Sequence, residues 1–206
     1  YTFYNVKLGD STFPISSGSG GQFGANCSTA GVYAACMKLR AAIAEKLGFD
    51  VATTTFANGA VSSGDETISL SDVAGDDDLV AEDAIEFGGI TQQRKQATFG
   101  AHFVEVAVNA ATFEIRVRRM LAVCACGRIL NPKTARSQVI GAMTMGLGAA
   151  LMEQLDVDTR YGLFLNHDLA GYEVPVHADV PHQDVIFLDE TDPMSSPMKA
   201  KGIAEL

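Results

Sequence analysis

The chain has 206 residues, 47% of them hydrophobic and 19% charged, with a formal net charge of −10. A chain of this length can bury on the order of 70% of the surface its unfolded form exposes, enough for one large domain or two lobes. The acidic balance excludes nonspecific nucleic-acid binding, which needs Lys and Arg to neutralise phosphates, and no run of about 18 apolar residues is present to span a membrane.

Residues 4–8 read as a short strand and 9–11 as its turn. Residues 16–26 form a loop of Ser and Gly with little side-chain bulk, after which Ser28 or Thr29 can cap a helix. Val32, Cys36, Leu39, Ile43 and Leu47 fall on one stripe at three- and four-residue steps, and Gly48 stops the helix. Residues 51–70 are hairpin-like, with Asn58-Gly59 as the turn, and 76–78 are an acidic exposed loop. Residues 99–108 and 114–123 alternate and read as an antiparallel pair joined around 109–112. Arg116, Arg118 and Arg119 in this pair read as a solvated or subunit-facing strand surface.

Asn131-Pro132 supplies an N-cap followed by Pro at the first helical position. The helix from 132 to about 153 is apolar nearly all round, through Val139, Ile140, Met143, Met145, Leu147, Leu151 and Met152. It reads as a central buried helix in which Gly141, Gly146 and Gly148 let other backbone come close. Residues 161–176 and 184–188 suggest further strands, and 192–206 is rich in Pro, Ser, Lys and Gly. The mixture predicts an α+β architecture, with possible lobes at about 1–92 and 93–206.

Cys27, Cys36, Cys124 and Cys126 are too few and too scattered for a disulfide scaffold. Cys124 and Cys126 stand two apart, so a strand points both to one face, and no second Cys or His pair lies at zinc spacing. Buried free thiols are expected. The 20 glycines and the low charge point to close backbone packing and to surface covered by other subunits. The first residues lack the basic stretch and cleavage site of a signal peptide, and both ends read as cut from a longer chain.

Three places can carry chemistry. The glycine loop exposes backbone N–H groups that can hold an anion, helped by the positive end of the following helix. It matches neither a P-loop, nor G-x-S-x-G, nor G-x-G-x-x-G, so an ordinary surface loop stays open beside an anion or cofactor cradle. His102, His167, His177 and His182 show no metal-ligand spacing. His102 is expected to be a hydrogen-bonded structural histidine, and any metal must be brought by a cofactor. In Lys199-Ala200-Lys201-Gly202-Ile203-Ala204-Glu205, pattern alone favours a surface charge over a catalytic carboxylate, and the two lysines read as positional or surface groups.

Six segments in order change this reading. They are Leu8-Gly9-Asp10-Ser11, residues 18–26 with 32–36 behind them, 99–106 (Phe-Gly-Ala-His-Phe-Val-Glu-Val), 127–132 (Gly-Arg-Ile-Leu-Asn-Pro), 137–142 (Ser-Gln-Val-Ile-Gly-Ala) and 199–205. Together they resemble the molybdenum hydroxylase family, which includes xanthine dehydrogenase and aldehyde oxidoreductases, and in particular the large subunit of the bacterial periplasmic aldehyde oxidoreductases.

The resemblance implies that residues 1–206 are an incomplete molybdopterin-cofactor-binding region, with mixed sheets and a buried glycine-containing helix. The implied cofactor is molybdopterin cytosine dinucleotide, whose pterin dithiolene holds the molybdenum without protein side chains. Gly20, Gly21 and Gln22 would lie against the metal, with the Gly21 backbone its neighbour. Gly24, Ala25 and Asn26 would contact the phosphate and pterin portions, and Gln138 would hydrogen-bond the pterin. Glu205 would be the catalytic base, with a pKa raised by burial toward operating pH.

The implied reaction turns an aldehyde into a carboxylic acid. Glu205 takes a proton from a molybdenum-bound hydroxyl, the oxygen attacks the carbonyl carbon, and a hydride moves to a sulfido ligand. Electrons would leave through an iron–sulfur subunit and an FAD subunit of a heterotrimer. The implied location is the periplasm, with the export signal on a partner, or alternatively the cytoplasm. Hydroxylation of an N-heterocycle of the xanthine, nicotinate or isoquinoline type would use the same site. Outside catalysis, the alternative is a fragment that packs against partner subunits; a serine hydrolase stands last, without a recognisable Ser, His and Asp set. Two departures from the family pattern stand out. Ala204 replaces the Gly that commonly precedes the catalytic Glu, where Gly adopts φ > 0 cheaply. The upstream glutamine loop and arginine, and the region after the Glu, are absent from these 206 residues, which are not expected to work alone.

Overall fold

The computed structural model describes residues 5–7, 9–13, 23–76, 78–83, 89–95 and 97–203, with backbone alone at 23–28, 90 and 91. It divides into two compact units, Tyr1–Gln93 and Arg94–Leu206. The architecture is α+β with small mixed sheets.

The first unit is built on helix α1 (Phe23–Leu47). Its end is the one Gly48 predicts. Gly48 takes φ 72°; its N–H donates to the Glu45 carbonyl at 3.0 Å and that of Phe49 to Ala44 at 2.8 Å. This pair of bonds satisfies carbonyls that the last turn would leave open. The helix begins earlier than expected, however, running through Ser28 and Thr29 instead of starting after them. Only the later part of its apolar stripe packs. Ile43 is buried with Val61 and Val73, and Leu39 and Leu47 close over them, while Val32 and Cys36 are exposed.

A meander follows: β1 (Thr55–Ala57), β2 (Ala60–Ser63) and β3 (Glu66–Ser69), all antiparallel. Asn58 and Gly59 both adopt positive φ, which gives the two-residue turn whose twist suits a hairpin. Ser69 then caps α2 (Leu70–Ala74) by accepting the Asp72 N–H. Asp76 and Asp78 are exposed, as predicted, while Asp77 lies outside the described residues. Helix α3 (Ile90–Gln93) is a single turn.

The second unit is a three-stranded sheet in the order β4 (Phe99–Val108), β5 (Ile115–Ala125), β8 (His182–Phe187). β4 and β5 are antiparallel, as their alternation predicts, and β5 and β8 are parallel. A parallel pair needs a crossover connection, which carries helix α4 (Pro132–Leu151). Asn131 caps α4, accepting from the N–H groups of Lys133 at 3.0 Å and Thr134 at 3.3 Å. Cys124 and Cys126 do share a face, buried with Ala122, Val139 and Met143. The register shifts between Glu105 and Val106, where Glu105 faces Arg119 and Val106 faces Val117. Arg118 is the extra residue, and all three arginines are exposed, as expected.

Two expectations are corrected here. Helix α4 is buried on one stripe, through Val139, Met143, Leu147 and Gly148, whereas Met145 is 71% exposed and Leu151 43%. Of its three glycines, only Gly148 has close neighbours, the side chains of Glu153 and Pro175; Gly141 and Gly146 face open space. Residues 161–176 are mostly turns, because Asp158, Asn166 and Asp168 hydrogen-bond nearby backbone and close tight loops. Only β6 (Val157–Asp158) and β7 (Leu163–Phe164) pair, as a two-residue ribbon.

Candidate functional site

The best-defined candidate is the segment that leads into Glu205. β5 runs out through Cys126 into Gly127, whose φ is +70°. A Cβ there would stand 2.6 Å from the Lys199 carbonyl oxygen. Only glycine lets the two backbones lie this close. Gly127 and Ala200 form an antiparallel bridge. The Arg128 N–H donates to the Lys199 carbonyl at 2.8 Å, and the Lys201 N–H to that of Cys126 at 2.9 Å. Further along, the Thr98 hydroxyl donates to the Gly202 carbonyl at 2.6 Å, and Ile203 packs against the core of Ala122, Cys124 and Cys126.

Of the two readings of Lys201, positional or surface group, burial leaves the first. Its side chain is 9% exposed, and Nζ stands 2.7 Å from Glu190 Oε1. The other Glu190 oxygen accepts the Gly127 N–H at 3.5 Å. Lys199, by contrast, is exposed and adopts φ 62°. Backbone bonds, an apolar anchor and an ion pair therefore converge on residues 199–203. Ala204 and Glu205 lie outside the described residues.

Gly20, Gly21 and Gln22 also lie outside them. Gly24, Ala25 and Asn26 form the first turn of α1, which contains no acidic residue. Their amides thus belong to the helix end that carries partial positive charge. The sequence could not show this, since the glycines ahead of Ser28 and Thr29 resemble a loop. Gln138 lies on α4 beside the buried Val139, with its own side chain exposed.

Among the described residues, no group of three or more His, Cys, Asp and Glu could hold a metal ion. The two core thiols are poor donors. Burial pushes the Cys124 and Cys126 thiols up, and the Cys124 and Glu190 charges add to the effect at Cys126; the thiolate is the form that binds metal. His102 is exposed on β4. It lines a shallow cavity of about 630 Å³ over β4, β5 and β8, where Arg119 pairs with Glu105 and His182 with Asp184. Gln138 does not line that cavity.

Residues 5–181 match the family described as molybdopterin cofactor-binding domain. The chain is 66% identical, over 201 residues, to the aldehyde oxidoreductase molybdenum-binding subunit PaoC of Escherichia coli K12, an alignment covering 98% of this chain and 28% of PaoC. It is 37% identical over 98 residues to the xanthine dehydrogenase molybdenum-binding subunit of Escherichia coli O157:H7, covering 48% of this chain and 13% of that protein. The solved Cu,Mo-CO dehydrogenase in its carbon monoxide reduced state shares the fold, with a TM-score of 0.74 over 94% of this chain and 26% of that one, at 17% identity. The chain thus spans little more than a quarter of the length of PaoC.

Proposed function

The chain belongs to the molybdopterin cofactor-binding domain family, and we propose that the whole protein is the molybdenum subunit of an enzyme oxidising aldehydes to carboxylic acids. The observation that carries this reading is the 66% identity to PaoC across 98% of the chain. The first turn of α1 fits the anionic part of such a cofactor, since Gly24, Ala25 and Asn26 bring no acidic side chain to the helix end that carries partial positive charge. When bound, the cofactor supplies the two-electron oxidation of the substrate.

The chain's own residues would bind it and move a proton. Backbone groups of Gly20, Gly21 and Gln22 would approach the metal, and Gly24, Ala25 and Asn26 would take the phosphate and pterin portions at the start of α1. The exposed amide of Gln138 would hydrogen-bond the pterin. Glu205 would accept the proton that frees the attacking oxygen. Its backbone follows a segment fixed by Gly127, Ala200 and Ile203. The cytosine dinucleotide form of the cofactor, iron–sulfur and FAD partner subunits, and a periplasmic location complete this reading. Similarity to a xanthine dehydrogenase subunit favours N-heterocycle hydroxylation as the second reading, over a shorter stretch and at lower identity.

Glu205→Gln in the full-length, molybdenum-loaded enzyme tests the base. A general base contributes about 10² to 10⁴ in rate, so turnover of an aldehyde should fall by at least that range with molybdenum content unchanged. Retention of more than about a tenth of turnover, far above that loss, would overturn the assignment. Turnover of an N-heterocycle in preference to aldehydes would decide for the second reading.

A further inference from the structure

We propose that the Lys201–Glu190 ion pair is a positioning device for the segment carrying Glu205, an inference that rests on Glu205 being the base. A lysine side chain is almost never buried unless paired, and here it is nearly buried, 2.7 Å from a carboxylate. Burying an ion pair is a poor way to gain stability, because desolvation offsets the attraction. What the pair does supply is a unique arrangement. Glu190 binds Lys201 with one oxygen and approaches the Gly127 N–H with the other. One carboxylate thus ties the end of β5 to residue 201, four positions ahead of Glu205.

The other ties on this segment are uncharged. Backbone bonds run from Arg128 to Lys199 and from Lys201 to Cys126, the Thr98 and Ser195 hydroxyls donate to the Gly202 and Ala200 carbonyls, and Ile203 packs on the core. None of these holds the Lys201 side chain itself. Among the described residues, the ion pair is the one charged link on 199–203, and it adds a side-chain tie to the close approach of Gly127 and Ala200. A misplacement of about 1 Å remote from the reacting atoms can cost on the order of 10² in rate. Lys201 and Glu190 are therefore positioning residues that act through the backbone.

The test uses the full-length assembly, prepared with and without molybdenum, and four variants: Lys201→Met, Lys201→Arg, Glu190→Gln and the double Lys201→Met, Glu190→Gln. Amide exchange of residues 199–203 is read in both preparations, and kcat and KM for an aldehyde in the loaded one. Lys201→Met and Glu190→Gln should each accelerate exchange at 199–203 about tenfold or more while α4 stays protected, as expected for local opening. They should lower kcat by roughly 10- to 100-fold with KM little changed. The double variant should be no worse than the worse single one, because the two side chains act as a unit, and Lys201→Arg should recover most of the rate. Where Lys201→Met also exposes α4, the fold itself has been lost and Glu190→Gln decides. Unchanged exchange at 199–203, losses that multiply in the double variant, or faster exchange without loss of kcat would each overturn the proposal. An active Glu205→Gln enzyme would instead overturn the base, while the exchange result would still report on the anchor.

Discussion

Helices α1 and α4 bring different residues to their first turns. At the start of α4, Asn131 accepts two backbone N–H groups and Pro132 has none to offer. Its first turn is largely satisfied by the chain itself. At the start of α1 the sequence brings Gly24, Ala25 and Asn26, no acidic side chain, and Ser and Gly ahead of them. Apart from Phe23, this turn is Gly24, Ala25 and Asn26, whose low bulk leaves room for an anion to approach the amides. The two starts carry different sequence signatures, a cap and a proline at α4 and residues without an acidic side chain at α1.

The largest effect that can break this comparison is at Gly21, two residues ahead of α1. Gly21→Val should block cofactor loading by bulk alone, so the purified full-length subunit should lack molybdenum. Normal molybdenum content would remove the α1 end from the site. Met143→Ala comes next. Met143 is 3% exposed in the α4 core, and such truncations cost about 2–5 kcal/mol, which should appear as faster amide exchange along α4. An unchanged exchange pattern would mean that α4 is held elsewhere. Asn131→Ala is smaller, typically about 1 kcal/mol, and should fray only the first turn of α4.

Legibility in the sequence followed the range of the interaction. Asn131-Pro132, Gly48 and Asn58-Gly59 were all readable, because each acts on its own backbone within a few residues. The β4–β5 pair and the shared face of Cys124 and Cys126 were readable from alternation. Burial was not. Val32 and Met145 continue apolar stripes on the helices, yet both are exposed, because periodicity says which residues share a face and not what covers it. Residues 161–176 misled because aromatic and aliphatic side chains there ride on turns set by Asp and Asn. Of the candidate site, Gly20, Gly21, Gln22, Gly24, Ala25, Asn26, Gln138 and Glu205 were marked through resemblance. Nothing in the sequence pointed to Glu190, fifteen residues ahead of Glu205 in the chain, whose role depends on the close approach of 127 and 199. The signal that could have found it was Gly127, a glycine at the end of a strand whose conformation calls for a neighbour.

The smallest effect sharpens the comparison most, because its sign is in question. If α1 started after Ser28, the Ser28 hydroxyl would cap it, and Ser28→Ala would destabilise the helix by about 1 kcal/mol. In the structure Ser28 lies inside the helix that starts at Phe23, where alanine is the better helix former by up to about 0.5 kcal/mol. Ser28→Ala should therefore leave amide exchange in α1 unchanged or slow it slightly, with molybdenum loading intact. Asn131→Ala in the same protein serves as the reference for a true cap. Faster exchange over residues 29–32 in Ser28→Ala, matching the fraying at 133–135 in Asn131→Ala, would return Gly24, Ala25 and Asn26 to a loop. They would then lose the helix end that favours an anion, and a phosphate would have to be held by loop amides alone.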